Sequence, residues 1–252
     1  MSAIQDIGLA ILASLFPPAC LACDSVDGLH SQPLCLCRRC RQSIRFATRL
    51  SCVLCASRTT TADGGVFYCP SCRQQGTVID RQLALWSYEP SIQAVVHGLK
   101  FKRMDFLGGQ LAAALHRAFA DVLSEINLVV PIPLHWYRRL DRGFNQVEAI
   151  ALPLARSLGV PMLQALRRRR FTRAQARLDR AHRLRNLESV ITTTSRAKSV
   201  LSDQHVLLVD DVVTTGATLA AAARALTICH VRAVTTITVA ATPLGRFPEP
   251  RK

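Results

Sequence analysis

Val206-Leu207-Leu208-Val209-Asp210-Asp211-Val212-Val213-Thr214-Thr215-Gly216-Ala217-Thr218 is the stretch on which the reading of this chain turns. Its apolar start, 206–209, has the composition of a strand buried on both faces. Two adjacent acids follow, then a small hydroxyl-rich turn, then the alanine-rich segment 217–226, which is predicted to be a helix. Each part suits a sugar phosphate. Paired carboxylates at the C-terminal end of a strand can accept hydrogen bonds from two vicinal ribose hydroxyls. Backbone N–H groups and threonine hydroxyls at a helix N-terminus favour an anion such as a 5′-phosphate. Gly216 permits positive φ and a close approach of backbone to phosphate. Ligands of open α/β sheets gather beyond the carboxyl ends of parallel strands, and this turn occupies such a place.

Outward from the turn, strands and helices alternate. Residues 82–88 alternate as a strand closed by Pro90, and 91–99 have apolar residues at helical spacing. Lys100-Phe101-Lys102-Arg103 reads as a basic loop before a long apolar-periodic helix over 107–126. Residues 128–132 form a second buried strand, and 146–158 a helix that stops at Gly159, a suitable C-cap. A β-branched strand is expected over 190–194 and another strand over 233–241, with fraying from Pro243 onward. This order implies an α/β fold, a mostly parallel sheet flanked by helices.

Charge separates the chain into two parts. The 252 residues carry a formal charge of +15. Residues 1–80 hold 7 basic and 5 acidic side chains, whereas 81–252 hold 25 and 12. The basic field therefore belongs to the second part, and it fits polyanionic partners: a nucleotide, a phosphorylated sugar or nucleic acid. A basic surface serving solubility is the other reading. No stretch reaches the roughly 18 apolar residues of a membrane span. Residues 7–16 are apolar, but Gln5 and Asp6 precede them and no cleavage site follows, so 1–19 is expected to hold a short amphipathic helix. Pro17-Pro18-Ala19-Cys20 is a poor lipidation signal. A cytoplasmic, reducing location is expected, where cysteine pairs read as metal ligands before disulfides.

Nine of the ten cysteines fall between 20 and 72. Cys20-x2-Cys23, thirteen residues, then Cys37-x2-Cys40 is repeated 32 positions later as Cys52-x2-Cys55, thirteen residues, then Cys69-x2-Cys72. Four sulfurs at tetrahedral corners close the shell of Zn2+, so each repeat is expected to hold one structural zinc and no open position. Residues 20–76 thus read as a double zinc ribbon, with 77–245 as the larger domain and 246–252 as a tail. Crossed pairing of the CxxC units and, in an oxidising compartment, disulfides stay open. Cys35 is out of register and reads as a spare thiol; Cys229 reads as a core thiol. Arg38, Arg39, Arg41 and Arg45 could touch nucleic acid phosphates, although aromatic stacking partners are scarce. A module that docks on the second domain is the equal alternative.

The 206–218 run matches the signature of type I phosphoribosyltransferases: a hydrophobic strand, an acidic pair and a T-T/D-G-x-T loop. The resemblance implies that Asp210 and Asp211 hold the ribose of 5-phosphoribosyl-1-pyrophosphate. It gives Thr214, Thr215, Gly216, Ala217 and Thr218 to the 5′-phosphate. Upstream, Val129-Val130-Pro131-Ile132-Pro133-Leu134 leads into a loop with Arg138, Arg139 and Arg142, before Asn145 and Gln146. In those enzymes the loop after this strand holds the pyrophosphate, which suits guanidinium groups. That implies Arg138, Arg139, Arg142 and Asn145 there; Lys100 either reaches the pyrophosphate or is solvated. Mg2+ held by pyrophosphate and ribose oxygens would neutralise the leaving group. The three arginines would stabilise its charge, and Asp210 or Asp211 the oxocarbenium-like sugar. No general base stands out.

Taken whole, the chain resembles the ComF family, also called GntX, of competence-associated phosphoribosyltransferase-like proteins. The shared pieces are the cysteine ribbons, L-K-F at Leu99-Lys100-Phe101, V-P-I-P-L, R-G-F-N-Q, a Q-x2-L-x4-R-x2-N block from Gln175 and the V-D-D-V-x-T-T-G-x-T loop. His182 stands where many relatives have an acid. Members are bacterial and cytosolic, and are linked to natural transformation and incoming single-stranded DNA. The resemblance therefore implies single-stranded DNA or a DNA-uptake or helicase partner. Two functions follow: a pentosyl transferase of unknown acceptor, or a sensor of the phosphoribosyl ligand that works as a DNA-binding adaptor. Arg167, Arg168, Arg169 and Arg170 read as a solvated face, an active-site cover or a nucleic acid track.

Overall fold

The computed structural model describes residues 19–26, 33–47, 78–102, 104–134, 144–168, 191–214 and 216–242. A 3-10 turn at Pro33–Cys35 precedes helix α1 (Arg38–Gln42). Strand β1 (Arg81–Ser87), helices α2 (Pro90–Phe101) and α3 (Phe106–Leu123), strand β2 (Leu128–Pro131) and helix α4 (Gln146–Leu158) follow. Then come β3 (Leu166–Arg168), β4 (Ile191–Thr193), α5 (Lys198–Leu201), β5 (His205–Val213), α6 (Ala217–Thr227) and β6 (Ala233–Ala241).

The apolar run at 206–209 becomes the middle of a parallel four-stranded sheet in the order β1-β6-β5-β2. Side chains alternate across a strand, so a run apolar at every position needs cover on both faces. It has that cover. Leu207 and Val209 pack in one cluster with α2, α3 and α4, while Val206 and Leu208 pack in another with α6.

Helix α4 and strand β6 occupy the expected residues, and Gly159 ends α4 at φ 68°. Other boundaries differ. Lys100 and Phe101, expected in a loop, are the last residues of α2, with Lys102 as its C-cap. Strand β5 does not stop at Val209; β6 pairs beside it as far as Val213 and Ala241, so both acids lie within the strand. The strand near 190 leaves the parallel sheet and pairs antiparallel with β3. Two arginines in Leu166–Arg168 hid β3 from an apolar reading. The expected helix at 7–16, the second cysteine set and the tail from 243 lie outside the described residues.

Both sheet edges are closed. Leu163 N–H donates to Val129 O (2.9 Å), and Val129 N–H to Pro161 O (3.0 Å), beside β2. At β1 the cover comes from the cysteine-rich part: Ala47 N–H donates to Leu85 O (3.0 Å) and Ser87 N–H to Arg45 O (2.9 Å). Capping of an edge strand removes a template for unwanted pairing. Cys20, Leu34, Leu36 and Cys37 are buried in the same cluster as α2 and α3. Of the two roles open to the ribbon, its described part performs the docking one.

Helices α3 and α4 meet where one lacks a side chain and the other lacks a donor. Pro153 has no N–H to give to the Ala149 carbonyl four residues back. A Cβ on Gly108 of α3 would stand 2.2 Å from that same carbonyl oxygen, so only glycine admits the contact. Gly109 next to it faces open space. Gly108→Ala is expected to cost about 1–3 kcal/mol through overpacking. Gly109→Ala should gain about 0.5–1 kcal/mol from helix propensity. Denaturant unfolding of both variants checks the pair.

Candidate functional site

Strand β5 delivers its two acids to opposite faces of the sheet. Asp211 shares the parity of Leu207 and Val209 and points to the helices on their side. Its Oδ1 accepts from Lys100 Nζ at the end of α2 (2.9 Å), and its Oδ2 from Gln146 Nε2 at the start of α4 (2.9 Å). The residue is 5% exposed, so this carboxylate is buried, ion-paired and hydrogen-bonded at both oxygens. Asp210 shares the parity of Val206 and Leu208. Its Oδ1 accepts the backbone N–H of Asp211 (2.9 Å). The residue as a whole is half-buried, but its carboxyl is desolvated by the chain around it. That desolvation, and then the charge of Asp211, push it up to about 7 against the pull of Lys100 and Arg168.

Beyond the acids, Thr214 is exposed and Gly216 adopts φ 73°, the left-handed conformation expected of it. Gly216 is the N-cap of α6 and, as a glycine, offers that helix no side chain of its own. Ala217 and Thr218 occupy its first turn, partly exposed. Acid pair, left-handed glycine and helix start therefore follow one another at the carboxyl end of a central strand. Thr215, Arg138, Arg139 and Arg142 lie outside the described residues.

Asn145 and Lys100 are engaged within the fold. Asn145 caps α4 by accepting Val147 N–H (3.1 Å), and its amide donates to Glu148 Oε1 (3.1 Å) and Ile132 O (3.4 Å). Lys100 directs its ammonium to Asp211. Gln146 was given no role from the sequence, although it is the last residue of the R-G-F-N-Q motif. Its remaining oxygen, Oε1, is a buried acceptor with no donor among the described residues.

On the opposite flank of α2, Cys20, Cys23, Cys37 and Cys40 bring their sulfurs within 4.8 Å of one another. The first CxxC thus pairs with the second, and Cys35 stands outside the group. The Cys23 and Cys37 sulfurs are 3.7 Å apart. A tetrahedron with Zn–S bonds of ~2.3 Å has edges of roughly 3.8 Å, so the donor set fits zinc. Cys37 N–H also points at Cys20 Sγ (3.3 Å). Burial opposes ionisation of Cys20, yet the N–H groups of Cys37, Ala22 and Cys23 bring it down to about 6. Burial and the neighbouring thiols push Cys40 up to about 12. Thiolates this close repel one another, and a divalent cation is what lets four coexist. Cys52, Cys55, Cys69 and Cys72 lie outside the described residues. Cys229 is a buried core thiol, as expected.

Comparison with known proteins places both halves. Residues 149–250 match the family model of the phosphoribosyl transferase domain, and residues 11–73 that of the double zinc ribbon domain. Over 186 residues the chain is 31% identical to the DNA utilization protein YhgH of Escherichia coli K12, covering 71% of this chain and 80% of that one. It is 28% identical over 158 residues to Competence protein F of Haemophilus influenzae, covering 60% and 69%. With Competence protein ComFC of Bacillus subtilis the identity is 27% over 198 residues, covering 76% and 77%.

The cysteine geometry separates two close neighbours in sequence. Cys37→Ser is expected to lose the first zinc and to unfold at lower temperature, because this ligand is also buried in the shared core. Cys35→Ser should keep the metal. Cobalt substitution, read by the thiolate charge-transfer band, together with thermal unfolding, distinguishes the two.

Proposed function

This chain belongs to the ComF family, in which a double zinc ribbon precedes a phosphoribosyltransferase-type domain, and from that premise we propose that it binds 5-phosphoribosyl-1-pyrophosphate with Mg2+ at the end of β5. One observation carries the reading: an acid pair, a left-handed glycine and a helix start succeed one another there. The acid pair serves the ribose end. Thr214, Thr215, Gly216, Ala217 and Thr218 cradle the 5′-phosphate, whose charge suits the helix N-terminus. Arg138, Arg139 and Arg142 take the pyrophosphate, for which a forked guanidinium is well shaped. Mg2+, when bound, supplies charge neutralisation between pyrophosphate and ribose oxygens.

Two uses of such a site divide the proposal. In the first, an acceptor of unknown identity bonds to the anomeric carbon and pyrophosphate departs with the electron pair. In the second, the ligand is sensed, and the protein acts on DNA in competence as a cytoplasmic adaptor. What favours the second is the docked ribbon, where Arg38, Arg39 and Arg45 are exposed and Phe46, next to Arg45 in the chain, is 69% exposed. Cations with a free aromatic ring suit the phosphates and bases of a single strand. The names of the relatives, DNA utilization and competence, agree with a DNA-handling role. The second cysteine set is assigned a second structural zinc.

Calorimetry with the ligand and Mg2+ should show saturable uptake by the full chain. Replacing Asp210 and Asp211 together by asparagine should weaken it on the order of 100-fold or more, the scale of two lost charge-assisted hydrogen bonds. No uptake by the native chain, or uptake indifferent to both replacements, defeats the reading. Release of labelled pyrophosphate with nucleobases or ammonia as acceptors marks turnover; tight binding without release marks the sensor.

A further inference from the structure

We propose that the seam between the ribbon and the larger domain is a second ligand site, built to take the phosphate group of a small phosphorylated molecule. It lies apart from the turn after β5 and does not depend on the ligand assigned to that turn.

A cavity of about 400 Å3 opens at the seam and is lined from three directions. Ser43 and Arg45 come from the ribbon, Ser87 from the end of β1, and Glu89, Ser91 and Ile92 from the start of α2. Its size is that of a small-molecule pocket, and such pockets favour places where modules meet. Ser87 pairs in register with Ala241, and Ala241 with Val213. The cavity therefore sits on the same carboxyl edge of the sheet as the acid pair, two strand spacings or about 10 Å from the end of β5.

The walls supply donors that lack acceptors. Helix α2 has Pro90 in its first turn, and its first intrahelical bond runs from Gln93 N–H to Glu89 O (2.8 Å). The N–H groups of Ser91 and Ile92 are thus left over, and the Glu89 side chain caps neither. Neither meets an acceptor among the described residues, although Ser91 is 7% and Ile92 1% exposed. Buried N–H groups in that condition are rare. Ser87 is also 7% exposed. It shares the parity of Leu85, which packs in the α2 cluster, so its hydroxyl turns to the side on which α2 begins. That hydroxyl has no hydrogen-bond partner among the described residues and lines the cavity. Ser43 gives its own proton to Cys40 O (2.7 Å), so Ser91 Oγ is the donor in the 3.0 Å contact between the two hydroxyls.

Arg45 adds a charge. Its side chain is 79% exposed, and its Nε lies 3.9 Å from Glu89 Oε2, too far for a hydrogen bond. Two N–H groups at a helix N-terminus, a buried hydroxyl and a guanidinium make an anion site. Tetrahedral phosphate can present oxygens to helix, strand end and ribbon together, which a planar carboxylate does less well. Glu89 is the one carboxylate among the lining residues and opposes an anion. A phosphate held by both modules adds its binding energy to their docking.

Thermal unfolding of the full zinc-loaded chain in inorganic phosphate, against chloride at equal ionic strength, reads the site. Phosphate should raise the Tm of the native chain. Arg45→Ala should weaken the apparent affinity about tenfold and Ser87→Ala about threefold, the scales of a charged and a neutral hydrogen bond. Arg45→Lys should restore part of the loss. Glu89→Gln should strengthen affinity about threefold, an outcome that a merely structural wall does not produce. Phosphate taken up at the turn after β5 is common to every variant, so differences among them belong to the seam. Arg45→Ala and Glu89→Gln alter side chains outside the core and carry the test if Ser87→Ala does not fold. A 5′-mononucleotide should rank the variants as inorganic phosphate does. Equal phosphate responses in all variants, or none in the native chain, overturn the site. So does an effect of Arg45→Ala seen only with a single-stranded oligonucleotide, which assigns the arginine to a DNA surface on the ribbon.

Discussion

The contact on which this architecture depends is the buried carboxylate of Asp211, shared by an ammonium from α2 and an amide from α4. Burying an ion pair gains little over burying apolar groups of the same shape, but removing one partner of such a pair costs about 3–5 kcal/mol. The pair therefore acts less as a source of stability than as a constraint on arrangement. Strand β5 can end where it does only if both helices present these donors. The helices, for their part, are tied at the carboxyl end of the sheet and not merely packed on its side. The turn proposed to cradle the phosphate begins three residues later, on a strand end whose position has been fixed.

Helix α2 connects this clamp to the zinc knuckle. Twelve helical residues span about 18 Å. At its N-terminal end Ser91 Oγ lies 3.0 Å from Ser43 Oγ, and Glu89 lies 3.9 Å from Arg45 across an exposed pair of little energetic worth. Near its C-terminal end a Cβ on Gly98 would stand 3.2 Å from Leu21 of the first cysteine loop. Lys100 follows two residues on. Cys20 and Cys37 are both buried in the cluster that α2 completes. Metal affinity that orders the knuckle is thereby also spent on covering α2 and the β1 edge. A ribbon too small for its own core borrows one from the larger domain, which explains why it is docked and not tethered.

What could be read from the sequence was whatever local pattern alone decides. Helix α4 announced itself by its period and by a glycine at its end, β6 by a β-branched run, and the cysteine sets by spacing. Segment 100–103 misled because four successive residues rich in charge look like solvent, whereas Lys100 is drawn into the fold by an acid 111 residues away. Strand β3 was missed for a related reason: a two-stranded antiparallel pair outside the main sheet needs no apolar run, and arginines suffice in it. At the site, the motif located both acids but could not say which of them meets α2 and α4. That requires the parity of β5 against particular helices, and depends on Gln146 and Lys100 arriving from elsewhere. Gln146 was marked only as the last residue of the R-G-F-N-Q motif, which does not name its partner.

The remaining oddity is Asp210. A fold shaped for stability alone gains nothing from a second carboxylate beside the first, in a place that pushes its proton affinity to neutrality. Helix capping does not account for it either, since α6 begins at Gly216 and draws no side-chain cap from the acid. Perturbed groups of this kind cluster where a partner is meant to arrive. The partner's chemistry is bounded by what surrounds the acid. Hydroxyl donors relieve a carboxylate without cancelling its charge, and a neighbouring phosphate would be met by the helix start and by cations from the basic part of the chain. A sugar phosphate brings both features on one rigid ring, which a free anion or a bare metal ion does not.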